Sequence, residues 1–248
     1  MTPADVERAS AVVRRGGWGD REAFFRWAAG QPTCRPFVAE ADGEIVGTGV
    51  GTVNGAAGWV GTIFVDPAWR GRGLGVALTR HVVDALASAG CRTLLLVASE
   101  AGRPLYERLG FEVVTHYHVL AAAASPSRPP DPAVRRLGPA DLDAVLALDR
   151  LATGEDRSAL LRSFVISPNP GWVLDGPDRR LRGFVALAPW SGGAAIALEP
   201  VDGVRLLEHR RAVTTSARVR SGLLAENVEG RRRLAALGWH EEWRAPRM

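Results

Sequence analysis

The chain has 248 residues, of which 46% are hydrophobic and 23% charged, with a formal net charge of +4. Those values describe an ordinary water-soluble globular chain, long enough for one large domain or two small ones. The basic excess is arginine alone, spread along the chain apart from one run at Arg231, Arg232 and Arg233. This charge fits an anionic small ligand as well as nucleic acid and by itself favours neither; the lack of a recognition motif or exposed aromatic platform is what makes nucleic acid an unexpected partner. Cys34 and Cys91 have neither metal-ligand spacing nor a disulfide framework, so both read as packing residues of a reducing compartment and no metal is expected. The first residues carry acids and no apolar run, and the longest uncharged apolar-leaning stretch, 113–127, is too short and too polar to span a bilayer. A cytoplasmic protein without a membrane partner is the expectation.

In chain order, residues 4–15 predict a helix with Val6, Ala9, Val12 and Val13 on one face. Asp20 caps a second helix that runs to about Ala29. Gly16-Gly17-Trp18-Gly19 separates the two, and the aromatic cluster Phe24, Phe25 and Trp27 reads first as core packing. Three antiparallel strands follow at 36–40, 44–53 and 58–65. They are joined at Asp42-Gly43 and Asn54-Gly55, dipeptides that favour tight hairpins.

The third strand runs into Val65-Asp66-Pro67-Ala68-Trp69-Arg70-Gly71-Arg72-Gly73-Leu74-Gly75-Val76. Beyond it, Val76, Leu78, Val82, Val83, Leu86 and Ala89 recur at helical spacing, up to a stop at Gly90. The stretch is therefore a glycine-rich turn between a strand and a helix, where bare backbone N–H groups and the positive end of the helix dipole favour a phosphate. Arg70 and Arg72 add charge at the same mouth. The Gly-Lys-Ser/Thr end of a Walker loop is absent, and both registers of a dinucleotide fingerprint fail, at Val76 and at Leu78. Residues 92–97 read as a buried strand parallel to the one before the turn, since a helix crosses between them. Then comes Gly102-Arg103-Pro104-Leu105-Tyr106-Glu107-Arg108-Leu109-Gly110-Phe111, a short helix that tolerates Pro104 in its first turn and ends at Gly110. Phe111 is expected to open the next strand.

Two motifs now stand at the proper separation: Arg-x-x-Gly-x-Gly at Arg70, Gly73 and Gly75, and Leu-Tyr-x-x-x-Gly-Phe at Leu105, Tyr106, Gly110 and Phe111. Over residues 1–120 the chain resembles the GNAT superfamily of acetyl-CoA-dependent N-acetyltransferases. The resemblance implies that acetyl-CoA is the co-substrate and an amine the acceptor. It implies that Arg70, Gly71, Arg72, Gly73, Leu74, Gly75 and Val76 cradle the coenzyme's diphosphate. Ile63, Phe64 and Val65 would hold the pantetheine arm, with Ser99 standing where relatives often carry asparagine. Tyr106 would be the proton donor to the departing sulfur; its other reading is a core residue with a satisfied hydroxyl. The helix–loop–helix at the start would help shape the acceptor site, which makes Phe24 and Trp27 candidate wall residues. No general base is evident: Glu22, Glu100, His116 and His118 are candidates, the two histidines sharing one strand face. A non-catalytic acyl-CoA-binding regulator is the competing class.

The stretch 121–132 is a linker by composition, small residues followed by prolines. After it, 134–137 and the helical segments opening at Gly138 and Asp156 read as a fresh start, followed by strands at 171–174 and 181–188. Asn227 and the string Arg233-Leu234-Ala235-Ala236-Leu237-Gly238-Trp239 repeat the helix-to-strand turn of Leu105–Phe111. This implies an internal repeat. Its phosphate turn is replaced by Glu199-Pro200-Val201-Asp202-Gly203-Val204, where acids repel a diphosphate, and Leu234 stands in place of the tyrosine. The expected architecture is α+β: two tandem GNAT-like domains, 1–120 and 133–248, each a mixed, mostly antiparallel sheet flanked by helices. The second resembles the degenerate C-terminal domains of tandem bacterial acetyltransferases. It is expected to wall the acceptor pocket, with stability or homodimerisation as the other roles.

Overall fold

The computed structural model describes residues 1–190 and 192–248, which form two compact units. The first comprises Met1–Val97 and Gly102–Phe111. A short 3-10 turn leads into α1 (Val6–Arg15), whose buried face is Val6, Ala9, Val12 and Val13. The Asp20 carboxylate accepts the Glu22 amide at 2.9 Å at the start of α2 (Glu22–Gly30), but the N-cap position is Arg21, one residue later than the sequence predicts. The strands β1 (Cys34–Ala41), β2 (Glu44–Asn54) and β3 (Ala57–Val65) are antiparallel. Asp42 and Gly43 both have positive φ, 52° and 79°, the signature of a type I′ hairpin that matches strand twist.

The helix α3 (Leu74–Ser88) crosses over the sheet, and β4 (Thr93–Leu95) returns parallel to β3. A stripe of alternate glycines in β2 sets how close α3 lies. A Cβ on Gly47 would stand 2.9 Å from Leu78 Cδ1, one on Gly49 3.1 Å from Val82 Cγ2, and one on Gly51 3.0 Å from Leu86 Cγ. Side chains four apart on the helix thus nest where the strand has none. On the opposite face, α1 and α2 enclose a core of Val6, Val13, Phe25, Ile45 and Phe64. The unit ends with α4 (Arg103–Arg108).

The second unit holds Ala98–Ala101 and Glu112–Met248. Here the chain departs from the sequence reading. No strand opens at Phe111; β5 begins four residues later and spans Thr115–Ala123. It takes in Ala121, Ala122 and Ala123, which composition assigns to a linker, and Ala121 and Ala122 are buried. The next elements are β6 (Val134–Arg136), α5 (Leu142–Thr153), α6 (Ser158–Val165), β7 (Gly171–Asp175), β8 (Leu181–Leu187) and β9 (Gly193–Ala197). After them come α7 (Pro200–Val213), β10 (Arg218–Leu224), α8 (Val228–Ala236) and β11 (His240–Arg247). One antiparallel sheet runs β6-β7-β8-β9, and a second runs β10-β5-β11. The compact units therefore divide after Phe111 rather than at 120, because both edges of β5 hydrogen-bond to strands from the end of the chain.

Residues 124–133 are equally tied down. Their prolines bar them from a sheet but not from packing on α7. Ser125 N–H donates to Arg211 O at 3.0 Å, Arg128 pairs with Glu208, and Arg205 clamps the Asp131 carboxylate at 2.7 and 3.0 Å. Glu208 also accepts from Trp239 Nε1 at 2.6 Å and from Arg211 at 3.4 Å, so one buried carboxylate serves two arginines and an indole. Among the described residues no helix is long and apolar enough to cross a membrane.

Two outcomes follow for the second unit. Glu208→Ala strands the Trp239 indole and two guanidinium groups, and should cost about 3 kcal/mol in urea unfolding; Glu208→Gln, which keeps an acceptor, should cost less. His209 is buried beside Trp172 with Nδ1 lacking a partner, and burial pushes its pKa below the ordinary value, against a smaller pull from Asp131. The folded state thus resists a proton that the unfolded state accepts. Stability should be full above about pH 6.5 and decline as pH falls below it, and a His209→Gln variant should show a flatter decline.

Candidate active site

The strand-to-helix turn is built as its residues dictate. Asp66 closes the end of β3 by accepting the Ala68 amide at 3.0 Å, starting a 3-10 turn over Pro67–Trp69. Gly71 and Gly73 then take φ of 77° and 80°, a region costly for any residue with a Cβ. Nothing lies within 4 Å of where their Cβ atoms would be, so this stretch of main chain is open. Gly73 is the N-cap of α3, and no side chain caps the helix; its first-turn amides are left for an incoming acceptor. Arg70 is steered by its Nε–H donating to Val65 O at 3.2 Å. The Arg72 guanidinium stacks 4.6 Å from the Trp69 ring centroid. Gly75 is helical, and its role is contact: a Cβ there would lie 3.0 Å from Leu105 Cδ1 of α4. That contact sets the neighbour of Tyr106 against the first turn of α3.

The strand leading to the turn is open on one side. The ladder between β3 and β4 covers only Ala57–Trp59 against Thr93–Leu95, although residues 92–97 predict a longer strand. Beyond Trp59 the register of β3 on β2 shifts: Val50 faces Gly61 and Thr48 faces Phe64, so Thr62 and Ile63 bulge opposite Gly49 alone. Thr62 has φ of 51°, rare for a β-branched residue, and the buried Thr48 hydroxyl holds it by donating to Thr62 O at 3.0 Å. The bulge lies just beyond the last β3–β4 pair, Trp59 with Leu95. Asp66 N–H donates to Val46 O at 2.8 Å, so by alternation the Phe64 amide faces β2, while those of Ile63 and Val65 face the open edge. Phe64 therefore departs from expectation. Its ring is 1% exposed in the α1–α2 core, edge-on to Trp18 at 5.5 Å, and its amide points into the sheet.

Tyr106 is half-buried on α4, edge-on to Phe111 at 6.1 Å. Burial raises its pKa above the usual phenol value, so it holds its proton at neutral pH. Ser99 is exposed in the short segment Ala98–Ala101, which belongs to the second unit. Phe24 and Trp27 stack on each other at 6.1 Å and pack on the α1–α2 core, half-buried. Of the candidate bases, Glu22 accepts from Arg26 on its own helix, and Glu100 lies with Ser99 in the second unit. His116 and His118 lie on β5 of that unit, where His118 Nδ1 meets Glu241 at 2.6 Å. Sequence reading missed Thr48; its one signal was a hydroxyl inside an apolar strand. It also missed Arg80 and Arg108, exposed helix positions that border a cavity between α3, β4 and the end of α4 and that no motif marks.

An uncapped helix start thus stands behind an open glycine turn, beside a strand edge that β4 leaves unpaired beyond Trp59. Residues 7–111 match the model of the Acetyltransferase (GNAT) family, a match ending on the last residue of the first unit. The first unit is thus similar to GNAT acetyltransferase domains. A 56-residue stretch is 43% identical to glucosamine 6-phosphate N-acetyltransferase of Trypanosoma brucei brucei, spanning 23% of this chain and 38% of that protein. The whole chain shares the fold of a Pyrococcus horikoshii protein assigned as an acetyltransferase (TM-score 0.75, 20% identity, 86% of that chain covered). It likewise shares the fold of a tandem GNAT protein from the clavulanic acid biosynthesis pathway (TM-score 0.68, 15% identity, 95% of that chain covered).

The two helix stops that the sequence sets side by side are bonded alike, a pattern that the end of α3 at Gly90 also has. At the end of α4 the amides of Leu109, Gly110 and Phe111 donate to Tyr106, Glu107 and Tyr106. At the end of α8 those of Leu237, Gly238 and Trp239 donate to Leu234, Ala235 and Leu234. Gly110 and Gly238 have φ of 87° and 85°.

Gly73→Ala places a Cβ in left-handed backbone and should cost about 1–2 kcal/mol in thermal unfolding. Arg72→Ala, on the exposed side of the same turn, should leave stability within about 0.5 kcal/mol.

Proposed function

We propose that the protein transfers an acetyl group from acetyl-CoA to a primary amine of a small molecule or peptide. The observation that carries this reading is the uncapped start of α3, set at the end of a strand with a free edge and joined to α4 through the Gly75–Leu105 contact. The residues fit the coenzyme. The space a Cβ would fill at Gly71 and Gly73 is open, so a diphosphate can approach the backbone, with Arg70 and Arg72 at its flank. Ile63 and Val65 would pair with the pantetheine amides as a sheet edge pairs with an added strand.

Acetyl-CoA supplies an activated thioester. The neutral amine nitrogen bonds to its carbonyl carbon, the carbon–sulfur bond breaks, and the electron pair leaves on sulfur. Tyr106 holds a proton at neutral pH and would deliver it to that sulfur, regaining one from solvent. The surplus proton of the amine passes to water. The second unit is read as non-catalytic. Its α7 begins with Asp202 in the first turn, paired to Arg182 at 2.8 Å, so this helix start already carries its own anion, and Leu234 replaces the tyrosine.

The direct test is release of free coenzyme thiol from acetyl-CoA across a panel of amines, with identification of the acetylated product. Coenzyme binding without thiol release from any amine would instead select an acyl-CoA-binding regulator. Tyr106→Phe should lower kcat about 100-fold with little change in KM for acetyl-CoA; unchanged turnover would remove Tyr106 from the chemistry.

A further inference from the structure

Thr48 lies in the middle of the first unit's sheet, with Val38 of β1 on one side of it and Phe64 of β3 on the other. Alternation along β2 gives one face to Gly47, Gly49 and Gly51, which receive α3. Thr48 is turned to the opposite face with Val50, which joins Phe64 in the α1–α2 core. Packing alone would select valine there, which has the same branched shape and no hydroxyl to bury. The one proton of the Thr48 hydroxyl goes to Thr62 O at 3.0 Å.

Thr62 is the other half of the arrangement. Among the described residues three that are not glycine take positive φ; Asp42 and Arg179 lie in turns, while Thr62 lies inside a strand. Glycine would adopt that φ without strain, and a β-branched residue stays there only when its surroundings hold it. Thr62 O and the Ile63 N–H belong to one planar trans peptide group, so they point in opposite directions. The bond that draws the carbonyl toward Thr48 therefore turns the Ile63 amide away from β2, to the edge that β4 leaves unpaired.

We propose that Thr48 is a positioning residue for the coenzyme: its hydroxyl, acting through the Thr62 carbonyl, aims the Ile63 amide at the pantetheine arm. The assignment rests on the acetyl-CoA reading and adds to it a residue that meets no ligand. Thr48 is 0% exposed, so its effect on binding comes through the peptide it holds and not through contact.

The experiment is calorimetric titration of the full-length protein with coenzyme A and with 3′-phosphoadenosine 5′-diphosphate, the same molecule cut off before the pantetheine arm. It covers the native chain, Thr48→Val and Thr48→Ala, which lack the proton, and Thr48→Ser, which keeps it, with circular dichroism to verify folding. The hydroxyl-free variants should bind coenzyme A about tenfold more weakly than the native chain, as expected for one misaimed amide hydrogen bond, and bind the armless ligand as the native chain does. Thr48→Ser should recover most of the loss. Native affinity for coenzyme A in the folded hydroxyl-free variants, an equal loss on both ligands, or a Thr48→Ser variant as weak as Thr48→Val would overturn the positioning role and leave the acetyl-CoA reading standing. Binding of neither ligand by the native chain would overturn both.

Discussion

The first unit depends on how deeply α3 sits on its sheet. Three alternate glycines in β2 remove the side chains that would otherwise hold Leu78, Val82 and Leu86 away. With the helix axis fixed by that fit, its first turn is fixed too, at the end of β3 and under Leu105. The open turn, the arginines beside it and α4 then take their places by contact rather than by flexible adjustment. The strain at Thr62 belongs to the same construction. A β-branched residue in left-handed backbone persists because Thr48 holds its carbonyl and the packed sheet surrounds it. Beyond Trp59 that edge of β3 has no β4 partner.

The second unit repeats the ending of the first without its opening. The glycine turn after α8 matches that after α4 bond for bond, because Gly at the same offset from the helix end permits the same left-handed stop. At α7 the correspondence fails for a physical reason. A proline follows the N-cap, and Asp202, tied to Arg182, already neutralises the helix dipole. A helix start in that state has little attraction left for a diphosphate.

Much of this was legible from residue order. Asp42-Gly43 predicts the hairpin it forms, the alternating glycines between Val65 and Val76 predict the turn, and Gly110 and Gly238 predict the helix stops. These features are local: each depends on a backbone conformation that few residues adopt. What was not legible depends on pairing across long separations. Residues 121–123 look like a linker because alanine carries no strand signal, and only the flanks of β10 and β11 make them a buried strand. Residues 92–97 look like a full strand because their side chains are apolar, but only Thr93–Leu95 pair with β3, whose bulge at Thr62 lies in a different element. Phe64 reads together with Ile63 and Val65 in the sequence, but a period of two turns its amide toward β2 and its ring into the α1–α2 core. Arg80 and Arg108 lie 28 positions apart and share a cavity border only in the folded unit.

The central place of β5 in its sheet also orders events during synthesis. The strand leaves the ribosome about a hundred residues before β10, and β11 follows later still. Until then Leu120, Ala121 and Ala122 have no sheet to enter, and both rows of backbone donors and acceptors on β5 are exposed to whatever strand is nearest. The nascent chain thus spends several seconds carrying a sticky edge at its middle. A ribosome that stalls anywhere between β6 and β10 would leave a product with a complete amino-terminal body and an aggregation-prone tail.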